Sequence, residues 1–204
     1  MKLTIDLCSG LGGLSQAFKD EGWEVVTVDD NPKFNPTICA DIRKVTSQDI
    51  AGATRLQNFP EYEIVVIVAS PPCQRFSIAN PLWPKKGIGE AMEIVGACLE
   101  LIAEIKPKFW LLENPRGRLR WFLGKPYSSF NLKGLGYRTC KPTDLWGNVP
   151  FGLIPDGGKN NDFRGRKYPA PKGSYFGQVR SPALRAKMPY GLSKAVLEAV
   201  DGGG

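Results

Sequence analysis

The sequence predicts a doubly wound α/β sheet followed by a small, irregular, basic C-terminal part, and three observations carry that prediction. The run Ile64–Ala69 (Ile-Val-Val-Ile-Val-Ala) is apolar at every position, the pattern of a parallel strand covered on both faces. Apolar runs and helical spacing follow one another in the order strand, helix, strand, strand, helix, strand, which is the sequence form of βαβ units. Beyond residue 124 this rhythm stops, and Gly, Pro, Asn and Lys dominate residues 147–177.

Taken in order, Lys2–Leu7 reads as a short buried strand. Gly10-Leu11-Gly12-Gly13 makes a tight turn, and Leu14–Asp20 begins a helix. Glu24–Val28 is the second strand, closed by Asp29-Asp30-Asn31-Pro32, and Ile64–Ala69 is the third. Glu90–Ile105 places Ile94, Val95, Cys98, Leu101, Ile102 and Ile105 at helical spacing, and Pro107 ends it. Phe109–Leu112 is the fourth strand, closed by Glu113-Asn114-Pro115. A further strand is expected near Tyr137–Lys141 and an exposed loop over Gly157–Gly173. The last helix is expected over Ser193–Val200 with Ser193 as N-cap, before a frayed Gly202-Gly203-Gly204 tail. No repeat or linker divides the chain. Residues 1–204 read as a single domain, with a site-bearing core over 1–124 and a reduced region ending in a helix over 125–204.

Composition narrows the function. With 42 % hydrophobic and 23 % charged residues, the chain has the balance of an ordinary globular domain. No apolar run reaches membrane-spanning length, and the first residues lack the form of a signal peptide. The five cysteines are widely spaced without a CxxC pair, and there is no histidine. Neither a metal site nor a disulfide framework is expected, and the free thiols suit a reducing, cytoplasmic setting. Without histidine, no Ser-His or Cys-His pair is available. The net charge of +7 is uneven: residues 1–105 hold 9 Lys+Arg against 14 Asp+Glu, whereas residues 106–204 hold 18 against 6. A basic half suits a polyanion such as nucleic acid.

Two constellations carry chemistry. In the first, Asp6-Leu7-Cys8-Ser9-Gly10-Leu11-Gly12-Gly13 joins a strand to a helix, where glycines permit close backbone approach to a ligand. The spacing is G-x-G-G, not the G-x-G-x-x-G of a pyrophosphate site. Asp29 ends the second strand, as an acid that binds ribose hydroxyls would, and Asp41 follows in Cys39-Ala40-Asp41-Ile42. Three acids without a basic residue among them suit a cationic adenosyl ligand such as S-adenosylmethionine. In the second, Ser70-Pro71-Pro72-Cys73-Gln74-Arg75-Phe76-Ser77 leaves the third strand, and Glu113-Asn114-Pro115 leaves the fourth. Two prolines stiffen the chain ahead of a nucleophile, and a carboxyl at a neighbouring strand end makes the pair that cytosine carbon-5 chemistry needs. A thiolate adds at carbon 6 and an acid neutralises ring nitrogen 3, with the base extruded from its helix.

These residues resemble the cytosine-5 DNA methyltransferases. Asp6–Gly13 is similar to their D-L-F-x-G-x-G-G motif, and Asp29 and Ala40-Asp41-Ile42 are similar to the second and third motifs. Pro71-Pro72-Cys73-Gln74-x-Phe76-Ser77 resembles the nucleophile motif P-P-C-Q-x-F-S, and Glu113-Asn114 the start of E-N-V. The likeness covers residues 3–120. It implies a Rossmann-like S-adenosylmethionine-dependent methyltransferase sheet, with Cys73 as nucleophile and Glu113 on the base. It implies cofactor contacts from Asp6, Cys8, Gly10, Leu11, Gly12, Gly13, Asp29, Asp41, Ile42 and Pro71, with duplex DNA bearing a flipped cytosine as substrate. Cys8 stands where the family usually has phenylalanine, and Pro115 replaces the valine of E-N-V. The family's Q-x-R-x-R motif has two partial candidates. One is Arg164-Gly165-Arg166 with Asp162 in place of glutamine, the preferred one, with Arg164 and Arg166 on phosphate and base. The other is Gln178-Val179-Arg180. Pro189–Val196 stands in for the closing motif. About a dozen residues separate Arg166 from Arg180, so relaxed specificity or a specificity-conferring protein partner is expected, in a prokaryotic or phage restriction-modification setting. The alternatives are an inactive nucleic-acid-binding module, RNA cytosine methylation, and amino methylation of DNA through Ser70-Pro71-Pro72.

Overall fold

The computed structural model of the chain describes residues 1–77, 87–137, 141–150 and 187–202. Its sheet is built outward from the apolar runs. β1 (Lys2–Leu7) lies in parallel register with β2 (Glu24–Asp29) on one side, Leu7 opposite Val28. The edge strand β3 (Ile38–Cys39) extends that side. On its other side β1 pairs in parallel with β4 (Ile64–Ala69), Leu7 opposite Ala69. β5 (Phe109–Pro115) follows β4 in parallel. β6 (Ser128–Asn131) and β7 (Pro142–Gly147) complete seven strands in the order β3-β2-β1-β4-β5-β7-β6. β7 runs antiparallel to both β5 and β6.

Helices cover both faces, which is why β4 is buried at all six positions. Side chains alternate across a strand. Val66, Val68, Leu111 and Leu145 meet Ala17 and Phe18 of α1 (Gln16–Asp20), and Leu192 and Val196 of a C-terminal helix spanning Tyr190–Asp201. On the opposite face, Leu3, Ile5, Val65, Ile67 and Trp146 meet Ile50 of α2 (Ser47–Gly52) and Val95, Cys98 and Ile102 of α3 (Ile88–Ile105). Each large apolar side chain so enclosed contributes roughly 1.5–3 kcal/mol of transfer free energy. α4 (Arg120–Leu123) is a single turn, and the Tyr190–Asp201 helix is α5. Chain order reverses between β1 and β4, so the crevice beyond their carboxyl ends is where a ligand is admitted.

The differences from the sequence reading lie at element ends and beyond residue 124. α1 starts at Gln16, because Gly10 and Gly12 adopt left-handed φ of +52° and +64° and the chain turns before it coils. β5 runs on through Pro115, where pairing with β7 holds it extended. Of the strand expected near Tyr137–Lys141, Tyr137 and Lys141 lie outside any strand and residues 138–140 lie outside the described residues; pairing with β5 and β6 puts β7 at Pro142–Gly147. β3 and β6 carry no sequence signal strong enough to announce them. Ser193 is not an N-cap; α5 begins three residues earlier, with Pro189 at that place. Ser193 is instead fully buried, and its Oγ accepts from the Ala17 N–H at 2.9 Å. Gly202 closes α5 by donating to the Glu198 carbonyl at 3.0 Å. The Gly157–Gly173 loop and Gly203-Gly204 lie outside the described residues. Among the described residues no helix is long and apolar enough to cross a membrane, and no cluster of three metal-ligating side chains occurs.

Candidate active site

The loop after β1 is fixed by backbone geometry before any ligand is considered. Cys8, Gly10 and Gly12 all take left-handed φ, a region that costs a non-glycine residue about 1 kcal/mol or more. The Ser9 N–H donates to the Val28 carbonyl at 3.0 Å and the Gly10 N–H to Asp29 Oδ2 at 2.8 Å, so the tip of the loop is moored to the end of β2. Gly13 lies hard against the chain entering α5: a Cβ there would stand 2.5 Å from the Met188 carbonyl oxygen. A cavity of about 110 Å³ opens beside this loop, bordered by Cys8, Gly10, Leu11, Phe34, Ser70 and Met188.

The three acids sit differently. Asp29 is half-buried at the end of β2, and its oxygens each accept one backbone N–H, from Gly10 at 2.8 Å and Asn31 at 3.0 Å. Asp41 caps the short 3-10 turn Ile42–Lys44 by accepting from the Arg43 N–H at 3.0 Å. The Arg43 guanidinium also grips it, at 2.6 Å from Oδ2, and this pairing pulls the carboxyl down to about 2. Ile42 beside it is buried. Asp6 lies beneath the loop at 1 % exposure, with Oδ2 accepting from Ser15 Oγ at 2.6 Å. Burial pushes it up to about 7, against the Ser15 hydrogen bond, and the Asp29 charge adds to the rise. Cys8 Sγ rests 4.0 Å from Cys98 Sγ on α3, and the Cys98 thiol together with burial holds the Cys8 thiol well above its ordinary value.

The second cluster forms where β4 and β5 end side by side. The Ser70 N–H bonds back to the Leu7 carbonyl at 3.0 Å, and Pro71 is buried. Asn114 Nδ2 donates to the Pro71 carbonyl at 3.0 Å, so the residue after Glu113 straps down the segment that presents Cys73. The Cys73 carbonyl accepts from the N–H groups of Phe76 and Ser77, both at 3.0 Å. Beyond the turn, the Arg118 N–H donates to the Phe76 carbonyl at 2.8 Å, and Arg118 Nη1 to the Ser77 carbonyl at 2.6 Å. Cys73 is thus half-buried on a loop braced from β5. Burial raises its thiol pKa, and Lys141 opposes that. Glu113 is 2 % exposed and its carboxyl is likewise pushed up by burial, again opposed by Lys141. Thr143 Oγ1 lies 3.5 Å from Glu113 Oε1.

The structure therefore brings Cys73 and Glu113 to adjoining strand ends and gathers Cys8, Gly10, Leu11, Gly13 and Asp29 at the neighbouring loop. Arg164, Arg166 and the competing Gln178-Val179-Arg180 segment lie outside the described residues. Sequence reasoning missed Lys141 and the strap from Asn114 to Pro71. Lys141 carries no motif signal, and Asn114 shows its role only once β4 and β5 are neighbours.

Residues 3–127 match the family model described as C-5 cytosine-specific DNA methylase. The chain is 29 % identical over 146 residues to the type II methyltransferase M.XorII of Xanthomonas oryzae pv. oryzae, covering 64 % of this chain and 33 % of that protein. It is 30 % identical over 136 residues to the type II methyltransferase M.AquIA of a Picosynechococcus strain, covering 61 % and 52 %. It thus spans about a third to a half of the length of these curated relatives. The fold is shared with the crystal structure of a putative DNA modification methyltransferase encoded within an E. coli prophage, with TM-score 0.51 and 20 % identity over 72 % of this chain and 46 % of that one.

Proposed function

The chain belongs to the C-5 cytosine-specific DNA methylase family, and from that premise we propose that it methylates carbon 5 of cytosine in DNA through a covalent adduct at Cys73. The observation that carries this reading is the pairing of a half-buried Cys73 with a buried Glu113, held in place by the 3.0 Å bond from Asn114 to Pro71. The Cys73 thiolate adds to carbon 6 of the flipped base. The electron pair of the 5,6 double bond moves through carbon 4 to nitrogen 3, which takes the proton of the Glu113 carboxyl. Carbon 5 is then nucleophilic. After it has gained a methyl group it loses its proton, the sulfur leaves carbon 6, and the double bond is restored. Burial favours the neutral form of Glu113, which is the form that can donate to nitrogen 3.

S-adenosylmethionine, when bound, supplies an electrophilic methyl group. The residues present fit it. Left-handed Gly10 and Gly12 keep side chains off the face of the loop, and Asp29 retains a lone pair on each oxygen for ribose hydroxyls after its two backbone bonds. Ser70 Oγ is buried at the border of the small cavity. Asp29, Asp41 and Ile42 would hold the nucleoside and the Gly10–Gly13 backbone the amino-acid part, with Asp6, Cys8, Leu11 and Pro71 shaping the walls. Duplex DNA is the substrate in this reading, with the basic second half on its phosphates and Arg164 and Arg166 among the contacts. Base readout in the grooves is then either relaxed or supplied by a specificity-conferring protein partner. The bacterial sources of these relatives support a cytoplasmic restriction-modification setting.

The test is covalent trapping on duplex DNA containing 5-fluorocytosine, with S-adenosylmethionine present. Fluorine at carbon 5 cannot leave as a proton does, so wild type should run as a denaturation-resistant complex and Cys73→Ala should not. Methyl transfer to ordinary DNA that survives Cys73→Ala would overturn the covalent mechanism in favour of amino methylation.

A further inference from the structure

Building on this reading, we propose that Lys141 is the counter-cation of the reaction centre, stabilising one negative charge that sits first on the Cys73 sulfur and then on the Glu113 carboxylate. The placement follows from the sheet. Glu113 pairs with Leu145 and Pro115 with Thr143 across β5 and β7, and cross-strand partners share a face. Residues two apart on a strand share it too, so Glu113 and Thr143 address the same side, and Lys141 stands just ahead of β7, two residues before Thr143. Thr143 bridges the two residues, with Oγ1 3.5 Å from Glu113 Oε1 and 3.3 Å from the Lys141 carbonyl.

The Lys141 backbone is pinned on both sides. Its N–H donates to Asn131 Oδ1 at 3.1 Å, and its carbonyl accepts from the Leu132 N–H at 3.1 Å. Its ammonium lies 5.4 Å from the ring centre of the buried Tyr137, and no ion pair ties it down among the described residues. The nearby arginines are engaged elsewhere. Arg116 and Arg120 pair with Asp144, whose side chain is on the other face of β7, and Arg118 bonds the Ser77 carbonyl. The charged groups acting on Cys73 are Lys141 and Glu113, and those acting on Glu113 are Lys141 and Asp144. Lys141 is the largest influence after burial at both, and it favours the charged form of each.

The reaction needs such a group. Before attack the cysteine is anionic and the carboxyl neutral. When the carbon–sulfur bond forms, the electron pair displaced from the 5,6 double bond reaches nitrogen 3 and takes the Glu113 proton. The sulfur is then a neutral thioether and Glu113 is the anion. A cation facing both ends keeps its attraction throughout, so charge moves without losing its partner.

The experiment follows the alkylation rate of Cys73 by iodoacetamide against pH, read on the Cys73 peptide by mass spectrometry, in the full chain. The variants are Lys141→Gln, Lys141→Met and Lys141→Arg, each checked for the wild-type melting transition. The neutral variants should shift the profile upward by about one pH unit, about a tenfold slower reaction below the thiol pKa. Arginine should hold the rate within about threefold of wild type. Adduct formation on 5-fluorocytosine DNA at neutral pH should fall by a similar factor in the neutral variants and recover as pH is raised. Superimposable alkylation profiles in wild type and both neutral variants would overturn the role of Lys141, even with adduct formation intact. A shifted profile with no wild-type adduct would instead refute the covalent function and leave the electrostatic link to Cys73 standing.

Discussion

Asp6→Asn is a perturbation whose size can be worked from the structure. Asp6 is fully enclosed between β1 and α1, accepts one hydrogen bond from Ser15 and leaves Oδ1 without a partner among the described residues. Burial lifts its carboxyl from 3.8 to about 7 in the folded chain. A folded-state pKa above the unfolded one means that the folded state binds the proton more tightly. The stabilising contribution is therefore complete below about pH 4 and is lost as pH rises to about 7. A shift of roughly 3 units corresponds to about 4 kcal/mol at most. About 2–3 kcal/mol of it falls between pH 5 and pH 8, with the Asp29 charge sharing in the effect. Asparagine mimics the protonated acid, keeps an acceptor for Ser15 and does not titrate. The assay is equilibrium urea unfolding followed by tryptophan fluorescence at several pH values. Wild type should lose stability relative to Asp6→Asn as pH rises, by about 2–3 kcal/mol between those limits. Parallel stability curves for the two proteins would refute the argument and show that Asp6 is ionised at no penalty in the folded chain.

Two further predictions concern the loop after β1. Gly13→Ala places a Cβ 2.5 Å from the Met188 oxygen and 2.8 Å from its nitrogen. Both are backbone atoms, so the contact between the loop and the entry to α5 must open, at about 1–3 kcal/mol of stability. An unchanged urea midpoint would show that the segment yields freely. Asp29→Ala removes the acceptor of the Gly10 and Asn31 N–H groups together with the proposed ribose ligand. Calorimetric S-adenosylmethionine affinity should fall by about tenfold or more, in line with about 1.5–3 kcal/mol for a hydrogen bond to a charged group. Affinity within twofold of wild type would exclude Asp29 from the nucleoside site.

The sequence by itself determined the centre of the sheet and the loops that leave β1 and β4. The extents of β1 and β4 are those read from the sequence; β4 is apolar at every position because it is covered on both faces. The glycine turn, the prolines before Cys73 and the acid ending β2 were equally legible, since each answers a demand of the local backbone. Tertiary structure decided what depends on distant partners. β6, with its Ser-Ser-Phe-Asn sequence, exists because β7 pairs with it, and β7 begins at a proline that reads locally as a breaker. Ser193 has the chemistry of a cap but spends its hydroxyl on Ala17, 176 residues away, because α5 packs on α1. Lys141 belongs to no motif, and it acts on Glu113 only because the antiparallel pairing of β5 and β7 brings the neighbouring Thr143 to the Glu113 carboxyl. Periodicity and turn chemistry act over a few residues and are written in order along the chain. The electrostatic partner of a buried charge is set by which strands become neighbours, and that is settled only when the sheet closes.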